Sequence, residues 1–203
     1  MRIGIFGGSF NPPHRMHLEI GEEMVSHGYV EQVIYVPTGK KYPKSDLLED
    51  DLRYQMACLM TEDKNYLQVS NYELKNHLVY TYQTLDYFRK KYSSDEICFI
   101  LGSDLYLDLP NWKNYSYILE NYQILVILRD DDKKEELEKL YQDISKNVLF
   151  TDVHPFVLSS TKVRDAFQKG DLTFVKEHLS SKVFDFIVER NLYQEKSKES
   201  KGC

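Results

Sequence analysis

Apolar and polar positions change rhythm repeatedly along the chain, and each change predicts an element. Residues 1 to 6, MRIGIF, form a short apolar run that enters a tight turn at Gly7-Gly8. Helical spacing follows from Leu18 to His27, and Glu31 to Pro37 (EQVIYVP) reads as a second strand closed by Pro37 and Gly39. A helix between two such strands predicts a βαβ unit with parallel pairing. Asp50 or Asp51 can cap a helix running to about Met60, Tyr66 to Tyr72 alternates as a strand, and Thr81 to Lys91 is helical with Thr81 as its cap. Glu96 to Leu101 (EICFIL) and Tyr122 to Leu128 (YQILVIL) are nearly continuous apolar runs, the mark of strands covered on both faces. Asp132 to Ser145 reads as a charged helix with Leu137, Leu140, Tyr141 and Ile144 on its apolar side, and Asn147 to Val153 as a last strand.

Strand and helix thus alternate to about residue 153, which predicts an α/β domain over 1–153 built on a doubly wound parallel sheet. After His154-Pro155 the pattern turns purely helical. One helix begins at Ser159 to Arg164 and ends at Gly170, a second starts at Asp171, and a third runs from Ser180 or Ser181 to near Leu192-Tyr193. Residues 154–193 therefore read as a small C-terminal helical subdomain. Residues 194–203 have no apolar face and read as a disordered tail.

Composition narrows the function classes. The 203 residues are 42% hydrophobic and 29% charged, ordinary for a globular protein. A net charge of −6 argues against broad nucleic-acid or membrane binding but leaves room for a small anionic substrate in a local pocket. Cys58, Cys98 and Cys203 follow neither a metal nor a disulfide spacing, which points to a reducing cytoplasm. No apolar run is long enough to span a bilayer, and the N-terminus lacks a signal-peptide apolar region.

The candidate chemistry concentrates at the ends of strands. Gly7, Gly8 and Ser9 follow the first strand, and Phe10, His14 and His17 lead into a helix whose free N–H groups and dipole favour an anion. The histidines are three apart, so both imidazoles can address one ligand. Ser159, Ser160, Thr161 and Arg164 form a second helix start of the same kind. A polar loop carries Lys40, Lys41 and Lys44, and Gly102-Ser103-Asp104 ends a central strand, where parallel sheets bind ligands. Arg53 sits in the first turns of its helix, which suits either an ion pair with Asp50 or Asp51 or an anionic ligand, the ion pair being preferred. A dinucleotide-binding dehydrogenase is disfavoured, because no GxGxxG follows the first strand.

Together these residues resemble a known family. GGSFNPPHRMH resembles the (T/H)xGH signature of the nucleotidylyltransferase superfamily, and LSSTKVR resembles the second signature, ISSTxxR, of its adenylyltransferases. VPTGKKYPK, VYTYQTLDYF and GSDLYLDLPNW complete a likeness to nicotinate (or nicotinamide) mononucleotide adenylyltransferase over about residues 1 to 193. The resemblance implies a Rossmann-like fold and transfer of AMP from ATP to a pyridine mononucleotide, with Mg²⁺ and release of pyrophosphate, in NAD biosynthesis. It implies catalytic roles for His17, His14 and Arg164. ATP would lie against Gly7, Gly8, Ser9, Phe10, His14, His17, Gly102, Asp104, Ser159, Ser160, Thr161 and Arg164. The mononucleotide would meet Lys44, Thr81, Asp104 and Trp112. Between the histidines the family has glycine, and this chain has Met16. Another adenylyl- or cytidylyltransferase of the superfamily, or a nucleotide-binding regulatory module with weakened turnover, are the alternative readings.

Overall fold

The apolar runs become six parallel strands: β1 (Arg2–Gly8), β2 (Gln32–Pro37), β3 (Leu67–Val69), β4 (Glu96–Gly102), β5 (Gln123–Ile127) and β6 (Val148–Thr151). They lie in the order β3-β2-β1-β4-β5-β6. The computed structural model describes residues 1–39, 47–76, 79–129, 132–141, 147–156 and 158–194. Its helices are α1 (Arg15–Ser26), α2 (Asp50–Thr61), α3 (Tyr72–Lys75), α4 (Thr81–Lys91), α5 (Ser103–Asp108), α6 (Tyr115–Asn121), α7 (Lys134–Leu137), α8 (Ser160–Lys169), α9 (Leu172–His178) and α10 (Ser181–Glu189). No helix among the described residues is long and apolar enough to cross a membrane.

The period-two alternation of the strands sorts their side chains into two cores. Ile3 and Ile5, Ile97, Phe99 and Leu101, and Ile124 and Val126 point to one face, where Leu85 and Phe88 of α4, Tyr106 of α5 and Ile118 of α6 cover them. Phe6, Cys98, Ile100, Leu125 and Ile127 point to the other, against α1, α2 and the three C-terminal helices. Val163, Phe167, Val183 and Ile187 belong to that same cluster, so α8–α10 close one face of the sheet instead of burying a core of their own. The chain steps from β1 outward to β2 and β3, then returns to β4 on the other side of β1. The carboxyl ends of β1 and β4 therefore flank a topological switch point, where doubly wound sheets open a crevice.

Several element boundaries differ from the sequence expectation. Tyr72 leaves the third strand to begin α3. Thr81 is the first residue of α4, and Tyr80 is its cap, with the Tyr80 N–H donating to Gln83 Oε1 at 3.0 Å. The charged helix expected over Asp132 to Ser145 reduces to α7, although Leu140 and Tyr141 still pack on the core; residues 142–146 lie outside the described set. The C-terminal caps hold as expected: Ser159, Asp171 and Ser180 accept from the N–H groups of Lys162, Phe174 and Val183, and Gly170 ends α8 at φ +73°. α10 stops at Glu189, short of Leu192.

Candidate active site

The end of β1 is shaped by what its two glycines omit; expected as a tight turn, Gly7 and Gly8 instead continue the strand and pair with Val36 and Pro37. A Cβ on Gly7 would meet nothing within 4 Å, so this residue leaves open space over the crevice. A Cβ on Gly8 would stand 3.1 Å from the Phe10 ring, tighter than ordinary packing. Phe10 itself takes a left-handed φ of +46° and is 1% exposed. Its ring meets His17 edge-on at 5.0 Å and Tyr35 at 5.7 Å. Expected at the nucleotide, Phe10 instead turns its side chain inward and props His17 from below.

The histidines form a stacked pair, ring centres 3.7 Å apart, at the start of α1. The His14 N–H donates to His17 Nδ1 at 3.1 Å, so the neutral His17 ring carries its proton on Nε2, free to donate outward. Burial, and then the neighbouring His14, hold the His17 imidazolium well below the ordinary histidine range. Burial, and then the field of His178, bring His14 down to about 3. Both rings are thus neutral donors near pH 7. His14 is 2% exposed, and its Nδ1 has no hydrogen-bond partner among the described residues.

Arg53 is fully buried and ties this loop to the sheet. It pairs with Asp50, and its guanidinium donates to the carbonyls of Leu48, Ser9 and Thr38 at 3.1, 2.7 and 2.6 Å. The ion-pair reading is correct but incomplete. The side chain is a strut between the end of β1, the end of β2 and the start of α2.

The second motif is stitched to the first. Ser160 Oγ donates to the Pro12 carbonyl at 2.9 Å, and Arg164 donates to the Asn11 carbonyl at 2.8 Å and to Thr161 Oγ1 at 3.3 Å. The same Asn11 accepts, at Oδ1, from the Leu48 N–H at 3.3 Å and from the Tyr193 hydroxyl at 2.8 Å. The start of α8 is therefore tied to the loop that leads into α1. Asn11 and Tyr193 were not singled out by sequence reasoning. An Asn before two prolines signals only a turn, and a Tyr at the chain's end signals nothing local.

Beside this strand end opens a cleft lined by Gly7, Gly8, Ser9, Thr81 and Trp112 together with Glu73, Thr84 and Leu105. His14, His17 and Arg164 are not among its lining residues; His14 instead lines a separate pocket with Pro13, Leu18, Met60, Lys176 and Leu179. Trp112 Nε1 donates to Asp108 at 3.0 Å, which fixes the indole at the rim. Gly102 lets Asp104 fold back, because a Cβ there would stand 2.6 Å from Asp104 Oδ1. Asp104 is exposed and pairs with Arg129 at 2.8 Å. Lys40, Lys41 and Lys44 lie outside the described residues.

A family model described as cytidylyltransferase-like matches residues 5–166. The probable nicotinate-nucleotide adenylyltransferase of Clostridium acetobutylicum is 31% identical over 199 residues, covering 93% of this chain and 97% of that protein. That of Clostridium novyi is 33% identical over 175 residues, covering 83% and 88%. The chain belongs to the nicotinate-nucleotide adenylyltransferase family of cytidylyltransferase-like proteins. Its fold matches that of Plasmodium falciparum nicotinic acid mononucleotide adenylyltransferase complexed with NaAD, at a TM-score of 0.79 and 20% identity, over 95% of this chain and 97% of that one. In the family signature a glycine separates the two histidines. Here Met16 is partly buried and packs against the apolar cluster beneath α1, so its side chain is accommodated by the core.

Proposed function

We propose that this protein transfers AMP from ATP to the 5′-phosphate of nicotinate mononucleotide, releasing pyrophosphate, as a step of NAD biosynthesis. The observation that supports this reading is the tie from Ser160 and Arg164 to the loop before His14, which links the start of α8 to the loop leading into α1. In this reading the triphosphate of ATP lies at these two helix starts, beside the His17 donor. The mononucleotide occupies the neighbouring cleft, with its pyridine ring against Trp112 and Thr81 and its phosphate toward Gly7 to Ser9.

The attacking phosphate is already ionised, so no general base is required and catalysis rests on position and charge. His17 Nε2–H donates to an oxygen of the α-phosphate, where charge builds as the bond to pyrophosphate breaks. The α8 N-terminus with Ser159, Ser160, Thr161 and the remaining Arg164 donors holds the β- and γ-phosphates. Among the described residues there is no group of three or more His, Cys, Asp or Glu able to cage a metal. The donor set suits Mg²⁺ that arrives on the triphosphate and keeps most of its waters. When bound, the ion offsets charge on the leaving pyrophosphate.

The test is pyrophosphate release on mixing the protein with ATP, Mg²⁺ and nicotinate mononucleotide. Absence of release with either pyridine mononucleotide overturns the proposal. Trp112→Ala is expected to raise the KM for the mononucleotide by about tenfold, the worth of roughly 1 kcal/mol of ring stacking. The KM for ATP stays within about twofold. Equal rises in both KM values would place Trp112 outside the pyridine subsite.

A further inference from the structure

The cleft lined by Trp112 and Thr81 also carries a carboxyl group, that of Glu73, and no Lys, Arg or His is among its described lining residues. Glu73 stands on α3, and its Oε1 accepts a hydrogen bond from the Thr84 hydroxyl on α4 at 2.7 Å. Its backbone carbonyl closes against the end of β2, 2.9 Å from where a Cβ on Gly39 would stand. β1, β2, α4 and β4 present only glycine, hydroxyl or apolar side chains to this cleft, and among its described lining residues Glu73 alone carries a titratable group. Its own helix, α3, also carries Lys75 and the phenol of Tyr72, whose pKa burial pushes up. Burial raises the Glu73 carboxyl to about 7, against the opposing pull of the Thr84 hydrogen bond.

The pyridine ring that this cleft would hold occurs in two forms that differ at one substituent, a carboxylate or a carboxamide. An ionised Glu73 repels a carboxylate strongly where neither water nor a cation screens the pair. A neutral Glu73 can donate its O–H to that carboxylate, and an ionised one can accept an N–H of the carboxamide. We propose that Glu73 is a specificity residue, setting the choice between the acid and the amide of the pyridine mononucleotide through its own ionisation. The inference rests on the adenylyl-transfer reading above. The acid is favoured while Glu73 holds its proton, and the amide gains ground once the proton is lost.

The experiment measures kcat/KM for nicotinate and for nicotinamide mononucleotide, with ATP and Mg²⁺, from pH 5.5 to 8.5. The ratio of the two values decides the matter, because both substrates share the same titrating 5′-phosphate and the same ATP. A single group titrating near 7 predicts that the acid-to-amide ratio falls by at least about tenfold between pH 6 and 8. In Glu73→Gln, which has nearly the same shape, the ratio is flat across that range. In Thr84→Val, which removes the hydrogen bond that favours the ionised form, the fall moves to higher pH. A ratio that is flat in the native protein, or that falls equally in Glu73→Gln, overturns the role of Glu73 while leaving adenylyl transfer intact. If the acid alone is used at every pH, identical pH profiles for native protein and Glu73→Gln overturn it equally. Failure of both substrates to release pyrophosphate overturns the underlying reading.

Discussion

Replacing His17 by alanine is expected to lower kcat by about 10²- to 10³-fold, with kcat/KM falling in step and the KM for ATP moving little. The size is that of removing one preorganised donor from the point where negative charge develops in the transition state. The donor is preorganised twice over. Its tautomer is set by the His14 N–H on Nδ1, and its ring plane by Phe10 below and His14 alongside. It is also neutral throughout the working range, because protonation would place a cation in a buried site beside a second imidazole. The rate of the native protein therefore shows no limb from His17 between pH 5.5 and 8. His17→Gln, which can present an amide N–H near the Nε2 position, recovers part of the loss. Near-normal turnover in His17→Ala, with melting behaviour unchanged, would remove His17 from the chemistry.

How much of this was legible beforehand depends on whether a feature is local. The apolar runs EICFIL and YQILVIL, and the caps Ser159, Asp171 and Ser180, carry their information within a few neighbouring residues, and they fold as expected. α5 and α6 were not foreseen. α5 leaves Leu105 and Leu107 exposed and buries Ser103 and Tyr106, so it has no apolar stripe, while α6 is a seven-residue segment starting after Asn114 at φ +56°. Both are too short for a period of 3.6 to register. The same holds in the site. His14 and His17 are three apart in sequence and could be paired by eye. The contacts of Arg164 with Asn11 and of Tyr193 with Asn11 join residues 153 and 182 positions apart. No local pattern reports them. The inward turn of the Phe10 ring is not legible for a related reason: it follows from a left-handed φ that no local pattern signals.

Arg53 shows what such a non-local contact is worth. Arg53→Met is expected to destabilise the fold by about 3–5 kcal/mol, the summed cost of leaving three carbonyls without this donor at about 1–3 kcal/mol each. For a chain of this length that corresponds to a fall in Tm of about 10 °C. The methionine fills much of the volume but donates nothing, so the carbonyls of Ser9, Thr38 and Leu48 and the carboxylate of Asp50 all lose their donor. Two of those carbonyls belong to the ends of β1 and β2, so the damage extends beyond stability. Once Ser9 is untethered, the loop that would hold both substrates is no longer fixed. The KM for ATP therefore rises even at temperatures where the variant is folded. Arg53→Lys separates charge from geometry: an ammonium keeps the pair with Asp50 but cannot span three carbonyls in the guanidinium's fixed fork. Its loss of stability should fall between the native protein and Arg53→Met, while its KM for ATP stays close to that of Arg53→Met. If Arg53→Met costs less than about 1 kcal/mol in denaturant unfolding, below the ordinary cost of a buried unpartnered group, Arg53 is not the strut of this site. A positive charge at the start of a helix is unfavourable on the helix's own account. It is retained here because the residues just after β1 and β2 and just before α2 each bring it a carbonyl oxygen.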